Sequence, residues 1–515
     1  MTPPDPAAWR SRGPSRSGRA RRASQAGAAD APRRAALDLL AAVRERGAYA
    51  NLVLPELLRA RRITGRDAAL ATELGYGTCR AIGLLDAVLQ ACVDRPLSTV
   101  DGDLLDALRL GAYQLLRTRI PNHAAVATTV ELVRAARGRG AAGFVNAVLR
   151  RVAGREEQAW VAELAPNRDA DPVGHLAFAT AHPRWIAEAF SAALGGDPGD
   201  PAKPAAELAA ALAADDARPA VHLAARPGVL TAAELAAITG GQPAPYSPYG
   251  VHLGANTGDL AQLDVLRDGT AAVQDEGSQL VALALANAPL DGQDAGRWLD
   301  LCAGPGGKAA LLGALVRLLG PVGPTGPESG MLDAVERAEH RARLVERACA
   351  GLPVRVHVAD GRASGLPAGT FDRVLVDVPC TGLGALRRRP EARWRRTPDA
   401  LPELTALQRG LLAAALTLAR PGGVVGYVTC SPHRAETVHV VADVLAGATP
   451  ATPVATPGAT PATPVATPGA NPVATQLDAR PLFPGVPHLG DGPHVQLWPH
   501  RHGTDAMFCA LLRRQ

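Results

Sequence analysis

The chain has 515 residues, of which 47% are apolar and 20% are charged, and its net charge is +5. A chain of this length exceeds one ordinary hydrophobic core, so about two or three domains are expected. No apolar run approaches the roughly 20 residues that cross a bilayer, which argues against a membrane protein and favours a soluble one. The modest positive charge suits a polyanionic partner without identifying one.

Cysteine usage and the N-terminus indicate the compartment. The seven cysteines are widely scattered, and none belongs to a CxxC pair. This argues against a disulfide framework or a zinc ribbon and predicts reduced thiols in a cytoplasm, with no bound metal. The N-terminus is rich in Arg, but no continuous apolar segment follows it, so it does not resemble a secretory signal. We interpret residues 1–33 as a disordered basic tail.

Residues 34–155 carry apolar side chains at helical spacing. The clearest runs are ALDLLAAV, LLDALRLGAYQLL, VATTVELVRAA and FVNAVLRRV. Glycine and proline separate these runs, at Gly65, Pro96, Pro121 and Gly138 to Gly140. The pattern predicts a compact all-helical domain.

Two regions of mixed structure follow. Residues 156–270 combine a helix near HPRWIAEAF with short strand-like pieces such as AVHLAA, which predicts a small α+β module. Over 271–515, strand-like runs alternate with helical ones, as in a doubly wound α/β domain whose parallel sheet is covered on both faces. Within it, ATPVATPGATP recurs as ATPVATPGANP. No core forms from that composition, so 448–475 is predicted to be a disordered surface insertion of unknown role.

A loop rich in glycine follows the first strand of the α/β domain. The segment LDLCAGPGGK, residues 299–308, is typical of a strand and a tight loop, and the helix AALLGALVRLL follows it. At the carboxyl end of a strand, such a loop lets a ligand approach the amides of a helix N-terminus. It lacks the Lys-Ser/Thr ending of a phosphate loop, and alone it is equally consistent with a structural turn.

Carboxylates stand at the ends of the later strands. Glu336, with Asp333 as an alternative, ends the second strand, where a carboxylate binds ribose hydroxyls in nucleotide-type folds. Asp360 ends the third strand and Asp377 the fourth. Singly, each acid is more commonly a solvated loop residue or a helix cap. Their shared position favours one ligand site.

Two cysteines lie in loops beside this predicted site. Cys380, in DVPC, and Cys430, in TCSP, each come just after an apolar strand. A free cysteine is usually a small buried hydrophobe. We assign that structural role to four of the others: Cys79, Cys92, Cys349 and Cys509. For Cys380 and Cys430, the position beside a cofactor loop predicts chemical roles.

An Arg-rich stretch that includes a Trp follows DVPC directly, in RRRPEARWRR. In isolation it would be a solvated charged face. Its place beside the thiols favours phosphate clamping and base stacking, because cations and aromatic planes hold single-stranded RNA. We expect RNA contacts from four residues: Arg387, Arg388, Arg389 and Trp394.

The motifs LCAGPGGK, ADGR, DVPC, RRRPEARW and TCSP, in this order and spacing, resemble the Sun/RsmB (Fmu) branch of the RNA 5-methylcytosine methyltransferases. Residues 34–155 resemble the NusB-like RNA-binding domain of this branch, and VQDEGSQL resembles its lead-in to the first motif. The likeness covers most of the chain and ends at the basic tail and the proline repeat. It implies a cytoplasmic ribosomal RNA methyltransferase with a Rossmann-like class I methyltransferase domain.

The resemblance also implies residue roles. Glu336 would bind the ribose hydroxyls of S-adenosylmethionine, Asp360 would contact its adenine, and Asp377 would face its methionine end and the target cytosine. An insertion, GPVGPTGPESG, precedes the second strand and departs from the family pattern. It leaves open whether Glu336 or Asp333 binds the ribose. The glycine loop would cradle the cofactor through seven residues: Cys302, Ala303, Gly304, Pro305, Gly306, Gly307 and Lys308.

The paired thiols suit cytosine chemistry. In the RNA family the nucleophile is the Cys of TCS, here Cys430, which adds to carbon 6 and activates carbon 5. The Cys of DVPC, here Cys380, assists release, whereas the related DNA enzymes use a single Pro-Cys thiol. The expected partner is free or partly assembled small-subunit ribosomal RNA, bound by a monomeric protein.

Two other functions are compatible with parts of the chain. The same chemistry on transfer RNA is one, and the NusB-like domain weighs against it. A non-catalytic RNA-binding or antitermination-type factor is the other. The intact CAGPGGK, DVPC and TCSP motifs oppose it, because a retired site has no reason to keep all three.

Overall fold

The computed structural model describes residues 30–197, 204–254, 260–320, 329–447 and 474–515. Two compact units are present, one ending at Ala162 and one beginning at Glu163. The second contains both the predicted α+β module and the predicted α/β domain, whose boundaries stay predictions. The predicted tail up to residue 29 and the repeat within 448–473 lie outside the described residues.

The first unit is helical, as its apolar spacing predicts. Gly138, with a φ of 85°, interrupts its last long helix at a predicted breaker. The first helix begins at Ala31, within the predicted tail, because Pro32 fits a first helical turn, where no amide donor is needed. The helices are α1 (Ala31–Arg46), α2 (Ala50–Ala60), α3 (Gly65–Ala91), α4 (Gly102–Arg117), α5 (Asn122–Val152) and, crossing the boundary, α6 (Glu157–Leu164).

Close helix packing in this unit depends on a small residue. A Cβ placed on Gly77 of α3 would lie 2.0 Å from the ring of Tyr113 in α4. The ring is buried, and its hydroxyl donates to Glu73 over 2.6 Å. Glycine at 77 therefore lets the two helices approach, since interiors are packed too densely for an extra atom.

The second unit begins with helices and a small antiparallel sheet. The sheet has the strand order β2-β3-β1-β4, and this agrees with the predicted α+β module. Its elements are α7 (Pro172–Ala179), α8 (Arg184–Ala193), α9 (Leu208–Asp216), β1 (Val221–Ala225), α10 (Ala232–Thr239), β2 (Gln242–Pro243), β3 (Gly250–Leu253), α11 (Asp264–Arg267) and β4 (Ala271–Val273).

The main sheet confirms the predicted α/β fold. Its elements alternate along the chain: α12 (Glu276–Asn287), β5 (Arg297–Asp300), α13 (Gly307–Leu319), β6 (Met331–Glu336), α14 (Glu339–Ala348), β7 (Val354–Val358), β8 (Phe371–Asp377), α15 (Ala392–Arg395), α16 (Leu401–Leu418), β9 (Ala419–Thr429), α17 (Val438–Leu445), β10 (Ala474–Leu477), β11 (Val495–Gln496), α18 (Pro499–His502) and β12 (Phe508–Arg514).

The strand order is β10-β12-β9-β8-β5-β6-β7, and β11 pairs with β12. The strands from β9 to β7 are parallel, whereas β12 runs antiparallel to β9, a detail that the apolar runs did not predict. Helices α12 and α13 pack in the core on one face, and α16 and α17 in the core on the other. Strand β10 takes in residues 474 and 475, which the predicted insertion had included.

This topology determines where a ligand site can form. Parallel strands point their carboxyl ends to one edge, and the chain order reverses between β5 and β8. Open α/β sheets bind ligands at such a reversal. Asp300, Glu336 and Asp377 end β5, β6 and β8, and Cys430 directly follows β9. Within the part of the chain that the structure describes, no helix is long and apolar enough to cross a membrane.

Candidate active site

The glycine loop between β5 and α13 has two residues in the left-handed region, Gly304 with a φ of 57° and Gly306 with a φ of 99°. A Cβ on Gly306 would lie 2.9 Å from both Val345 Cα and Ala348 Cβ, so helix α14 leaves no room for it. A Cβ on Gly304 would meet only the Cys302 carbonyl, at 3.9 Å. The space beside Gly304 is therefore open to a ligand, and Gly306 serves packing.

Asp300 is an acid buried beneath this loop, with a relative exposure of 1%. Its Oδ1 accepts a hydrogen bond from the Cys302 amide over 3.3 Å. No donor among the described residues reaches Oδ2, which is also buried. Burial raises the pKa of Asp300 to about 7, the charge of Asp377 adds to this, and Lys308 opposes it. The charged form of Asp300 is therefore disfavoured in the fold, and such shifted acids are common at functional sites.

We expect Asp300→Asn to stabilise the free protein. Unfolding restores an ordinary pKa near 3.8, so the stability that this group contributes falls as pH rises from about 4 to about 7, and stays low above it. A shift of this size corresponds to as much as about 4 kcal/mol, which the amide avoids. Urea unfolding at about pH 8 and about pH 4 measures the difference, which should nearly vanish at the lower pH.

Asp333→Asn is the matched control. Asp333 is similarly buried, but its Oδ1 lies 2.7 Å from His357 Nε2 on the neighbouring strand. Losing that partnered charge should destabilise the protein. The prediction is wrong if Asp300→Asn lowers the free energy of unfolding at about pH 8 as much as Asp333→Asn does. In that case the Asp300 carboxylate has a stabilising partner, and its buried charge does not destabilise the fold.

Lys308 and Asp377 connect the loop to β8. Lys308 Nζ lies 2.7 Å from Asp377 Oδ2, and the lysine side chain is only 12% exposed. Burial opposes the charge of Lys308, but the nearby Asp377 carboxylate outweighs it and raises the pKa of the lysine. The pair therefore places a fixed ammonium group and a fixed carboxylate at the carboxyl edge of the sheet.

The two predicted cysteines meet at this edge. Sγ of Cys380 and Sγ of Cys430 lie 3.4 Å apart, within hydrogen-bond distance for sulfur. The hydrogen bond from Cys380 lowers the pKa of Cys430 against the opposing effect of burial, and Lys308 lowers it further. The same hydrogen bond, together with burial, raises the pKa of Cys380 well above its usual range. The pair is thus polarised, with Cys430 the more readily ionised of the two thiols.

The remaining strand-end acids differ in their surroundings. Asp333 faces β7, where His357 binds it, whereas Glu336 is the last residue of β6 and accepts from the Ala338 amide over 2.8 Å. Glu336 also pairs with Arg341 over 2.7 Å, so both acids have partners in the fold, and the choice of Glu336 as the ligand residue stays a prediction. Asp360 accepts from the Arg362 guanidinium over 3.0 and 2.7 Å, and this contact holds the pKa of Asp360 below its usual value.

The structure places Arg387 and Arg388 in ion pairs within the fold, and their expected RNA contacts stay predictions. Arg387 is buried, and its guanidinium donates to Asp505 over 3.0 Å and to Asp275 over 3.4 Å. Arg388 donates to the same carboxylates over 2.9 and 2.7 Å. The largely buried carboxylates of Asp275 and Asp505 are stabilised by these two guanidinium groups. No pattern in the sequence predicts that these residues pair. Arg389 is exposed and Trp394 is half-buried, so their RNA contacts stay predictions.

Substitutions of Arg387 and Arg389 should therefore affect different properties, the first stability and the second RNA binding. We expect Arg387→Ala to lower the free energy of unfolding by about 3 kcal/mol, because it removes one partner of two buried carboxylates. Arg389→Ala should leave the melting temperature nearly unchanged and weaken binding of single-stranded RNA, with a shallower dependence of affinity on salt. Thermal unfolding and salt-dependent RNA titrations measure both. Equal RNA affinity of Arg389→Ala and wild type would contradict this assignment.

Sequence reasoning missed two buried acids of this region, Asp300 and Glu436. Asp300 carried a usable signal, since an acid inside the apolar run WLDLC must be buried at a strand end. Glu436 carried none, because it lies in a polar segment, PHRAET, that resembles any surface loop. The fold buries it completely.

Comparison with known proteins places this site in a family. Residues 287–513 match the family model described as 16S rRNA methyltransferase RsmB/F, and residues 30–154 match the NusB family. The crystal structure of PH0851 superposes with a TM-score of 0.70 at 20% identity, covering 94% of this chain and 98% of that one. At this identity the likeness concerns the fold alone.

Two relatives extend over most of the chain. A putative methyltransferase of Mycobacterium tuberculosis H37Rv is 58% identical over 486 residues, which are 94% of this chain and 97% of the relative. The ribosomal RNA small subunit methyltransferase B of Pseudomonas putida is 34% identical, over 81% of this chain and 89% of its own. With a helical NusB unit, a class I sheet and paired thiols at its carboxyl edge, this chain belongs to the RsmB/F family of RNA methyltransferases.

Proposed function

We propose that the protein transfers a methyl group from S-adenosylmethionine to carbon 5 of a cytosine in 16S ribosomal RNA. The observation that carries this proposal is the 3.4 Å contact between the thiols of Cys380 and Cys430 beside the glycine loop. The Pseudomonas putida relative is named for small-subunit ribosomal RNA, and this favours that substrate over transfer RNA. A polarised thiol pair has no use in a purely RNA-binding factor.

The described residues fit S-adenosylmethionine. The space beside Gly304 admits a ligand, and Asp300 Oδ2 is a buried acceptor without a donor among the described residues. Glu336 would hold the ribose and Asp360 the adenine, while the loop from Cys302 to Lys308 would cradle the rest. When bound, the cofactor supplies an electrophilic methyl group on a sulfonium.

The thiols would perform the nucleophilic chemistry. The Cys430 thiolate would add to carbon 6 of cytosine, because this addition makes carbon 5 electron-rich enough to accept a methyl group. Lys308 would support the thiolate with its charge. As Cys430 adds to carbon 6, the Cys380 thiol would give its own proton to the cytosine ring. Its thiolate would then take the proton that must leave carbon 5 before the bond between Cys430 and carbon 6 breaks, and the ring would release the first proton to solvent. Asp377, held by Lys308, would face the base.

The proposal is tested with purified protein, labelled S-adenosylmethionine, and transcripts of 16S ribosomal RNA and transfer RNA. We expect methylation of the ribosomal transcript at one cytosine, which bisulfite sequencing maps both in vitro and in RNA from a deletion strain. Methylation of the transfer RNA alone would show that ribosomal RNA is the wrong substrate. Methylation of neither RNA would contradict the proposed methyltransferase activity. A monomeric, cytoplasmic enzyme acting on free or partly assembled subunits is part of the same proposal.

Asp300 provides a second readout of the cofactor site. Its carboxylate would face a cationic ligand, so Asp300→Asn should weaken S-adenosylmethionine binding measured by calorimetry. For the wild type, affinity should rise with pH through about 7, because the acid loses its proton there. The variant should lose that pH dependence.

A further inference from the structure

Glu436 is a fully buried acid in the short turn Arg434–Glu436, behind the two thiols. Its carboxylate binds the residues that directly follow both cysteines. Oε1 accepts from the Thr381 amide over 2.8 Å, and Oε2 accepts from the Thr381 hydroxyl over 2.5 Å and from the Ser431 hydroxyl over 2.7 Å. One side chain thus joins the loop of Cys380 to the loop of Cys430.

Further contacts make this connection rigid. Gln408, in α16, donates to Glu436 Oε1 over 3.1 Å and to the Pro379 carbonyl over 2.9 Å. The Tyr427 hydroxyl donates to the Glu436 carbonyl over 2.7 Å. Buried carboxylates cost free energy unless donors surround them, and here donors from three separate segments do so. The network fixes the backbone on which each thiol stands.

We propose that Glu436 is the positioning residue that sets the contact between the two thiols and makes them chemically unequal. The catalytic role of the thiol contact rests on the proposed function. The contact itself is a property of the free protein and can be measured without RNA or cofactor. Glu436 touches neither sulfur through a hydrogen bond that the structure describes, so it acts through Thr381 and Ser431.

The charge of Glu436 has the sign that this role requires. Alongside the hydrogen bond to Cys430 and burial, the Glu436 carboxylate raises the pKa of Cys380. Lys308 and Arg389, on other segments, lower the pKa of Cys430 instead, and Asp377 raises it. Among the described residues, the charged groups that act on the pair include Lys308, Asp377, Arg389 and Glu436, and the Tyr427 hydroxyl lies near Cys380.

The test measures the two thiols in the free, full-length protein. Limited alkylation with iodoacetamide over a pH series, read by mass spectrometry of the two cysteine peptides, reports each thiolate. In the wild type, Cys430 should react at lower pH than Cys380. In Glu436→Gln, which removes the charge at nearly constant shape, the labelling of Cys380 relative to Cys430 should rise about tenfold at about pH 8, one unit of pKa.

Two further variants separate charge from geometry. Glu436→Asp keeps the charge but shortens its reach to Thr381 and Ser431, so the thiols should move apart. The weakened contact should raise the labelling ratio less than Glu436→Gln does, while kcat falls about 100-fold at nearly constant KM. Glu276→Gln is the matched control. Glu276 is equally buried and accepts from the amides of Tyr246 and Ser247, but it lies outside the thiol network, and its variant should keep the labelling ratio.

The outcomes are distinguishable. A folded Glu436→Gln with the wild-type labelling ratio overturns the inference, whatever its activity. If that variant does not fold, Thr381→Val removes one donor at constant shape and should shift the ratio in the same direction; an unchanged ratio there overturns the inference as well. A shifted ratio together with a wild-type protein that methylates neither RNA would overturn the proposed function and leave the positioning role of Glu436 intact.

Discussion

Cys430→Ala should lose methyl transfer, with kcat reduced by at least about 10⁴-fold, the scale on which enzymes lose rate when a nucleophile is removed. Without addition at carbon 6, carbon 5 is not activated. The variant should also form no covalent complex with RNA. A filter-binding assay of methyl transfer and a denaturing gel with labelled RNA measure the two effects. Affinity for S-adenosylmethionine should change little, because Asp300, Glu336 and the glycine loop remain.

The control for Cys430→Ala removes a thiol elsewhere. Cys92 lies in the first unit, is 2% exposed and has a pKa raised by burial, so it has the ordinary role of a buried cysteine. Cys92→Ala should retain methyl transfer and lose only modest stability. Transfer by Cys430→Ala at a rate near that of wild type would remove the thiol from the reaction entirely.

Cys380→Ala should fail after bond formation. Cys430 can still attack, but the group that handles the carbon-5 proton is missing, so release should slow by about 10²- to 10⁴-fold. A protein–RNA complex that resists denaturant should therefore accumulate and appear as a shifted band on a denaturing gel with labelled RNA.

The same variant should also change the pH dependence of attack. The hydrogen bond from Cys380 lowers the pKa of Cys430, so its loss should raise that pKa and move formation of the complex to higher pH. A shifted band from Cys430→Ala and none from Cys380→Ala would reverse the roles. The nucleophile would then lie in DVPC, as in the DNA enzymes.

The predictions for Cys430→Ala and Cys380→Ala differ because the fold gives two similar thiols different surroundings and therefore different pKa values. Both thiols follow apolar strands and both are half-buried. The contact between the thiols lowers the pKa of Cys430, on which Lys308 and Arg389 also act, and raises the pKa of Cys380, on which Glu436 acts. Neither local sequence contains this difference. It arises from where other segments place their charges.

Local patterns in the chain were enough to predict the elements and the edge of the sheet that carries the site. Apolar spacing predicted helices in the first unit, and the alternation of strands and helices predicted the parallel sheet. Since the ends of parallel strands share an edge, the positions of Asp377, Cys380 and Cys430 in the chain already implied one site. These features depend on periods of two and 3.6 residues and on strand direction, which are local properties.

Local sequence patterns could not predict the contacts between segments that are distant along the chain. The sequence does not show that Arg387 binds Asp505, or that Glu436 joins the loop of Cys380 to the loop of Cys430. Asp300 could be located in its strand, yet its raised pKa depends on burial beneath the loop and on Asp377 nearby. Burial and charge pairing depend on which segments the fold brings together, so the patterns along the chain located the reactive groups and the packed structure determined their ionisation and their partners.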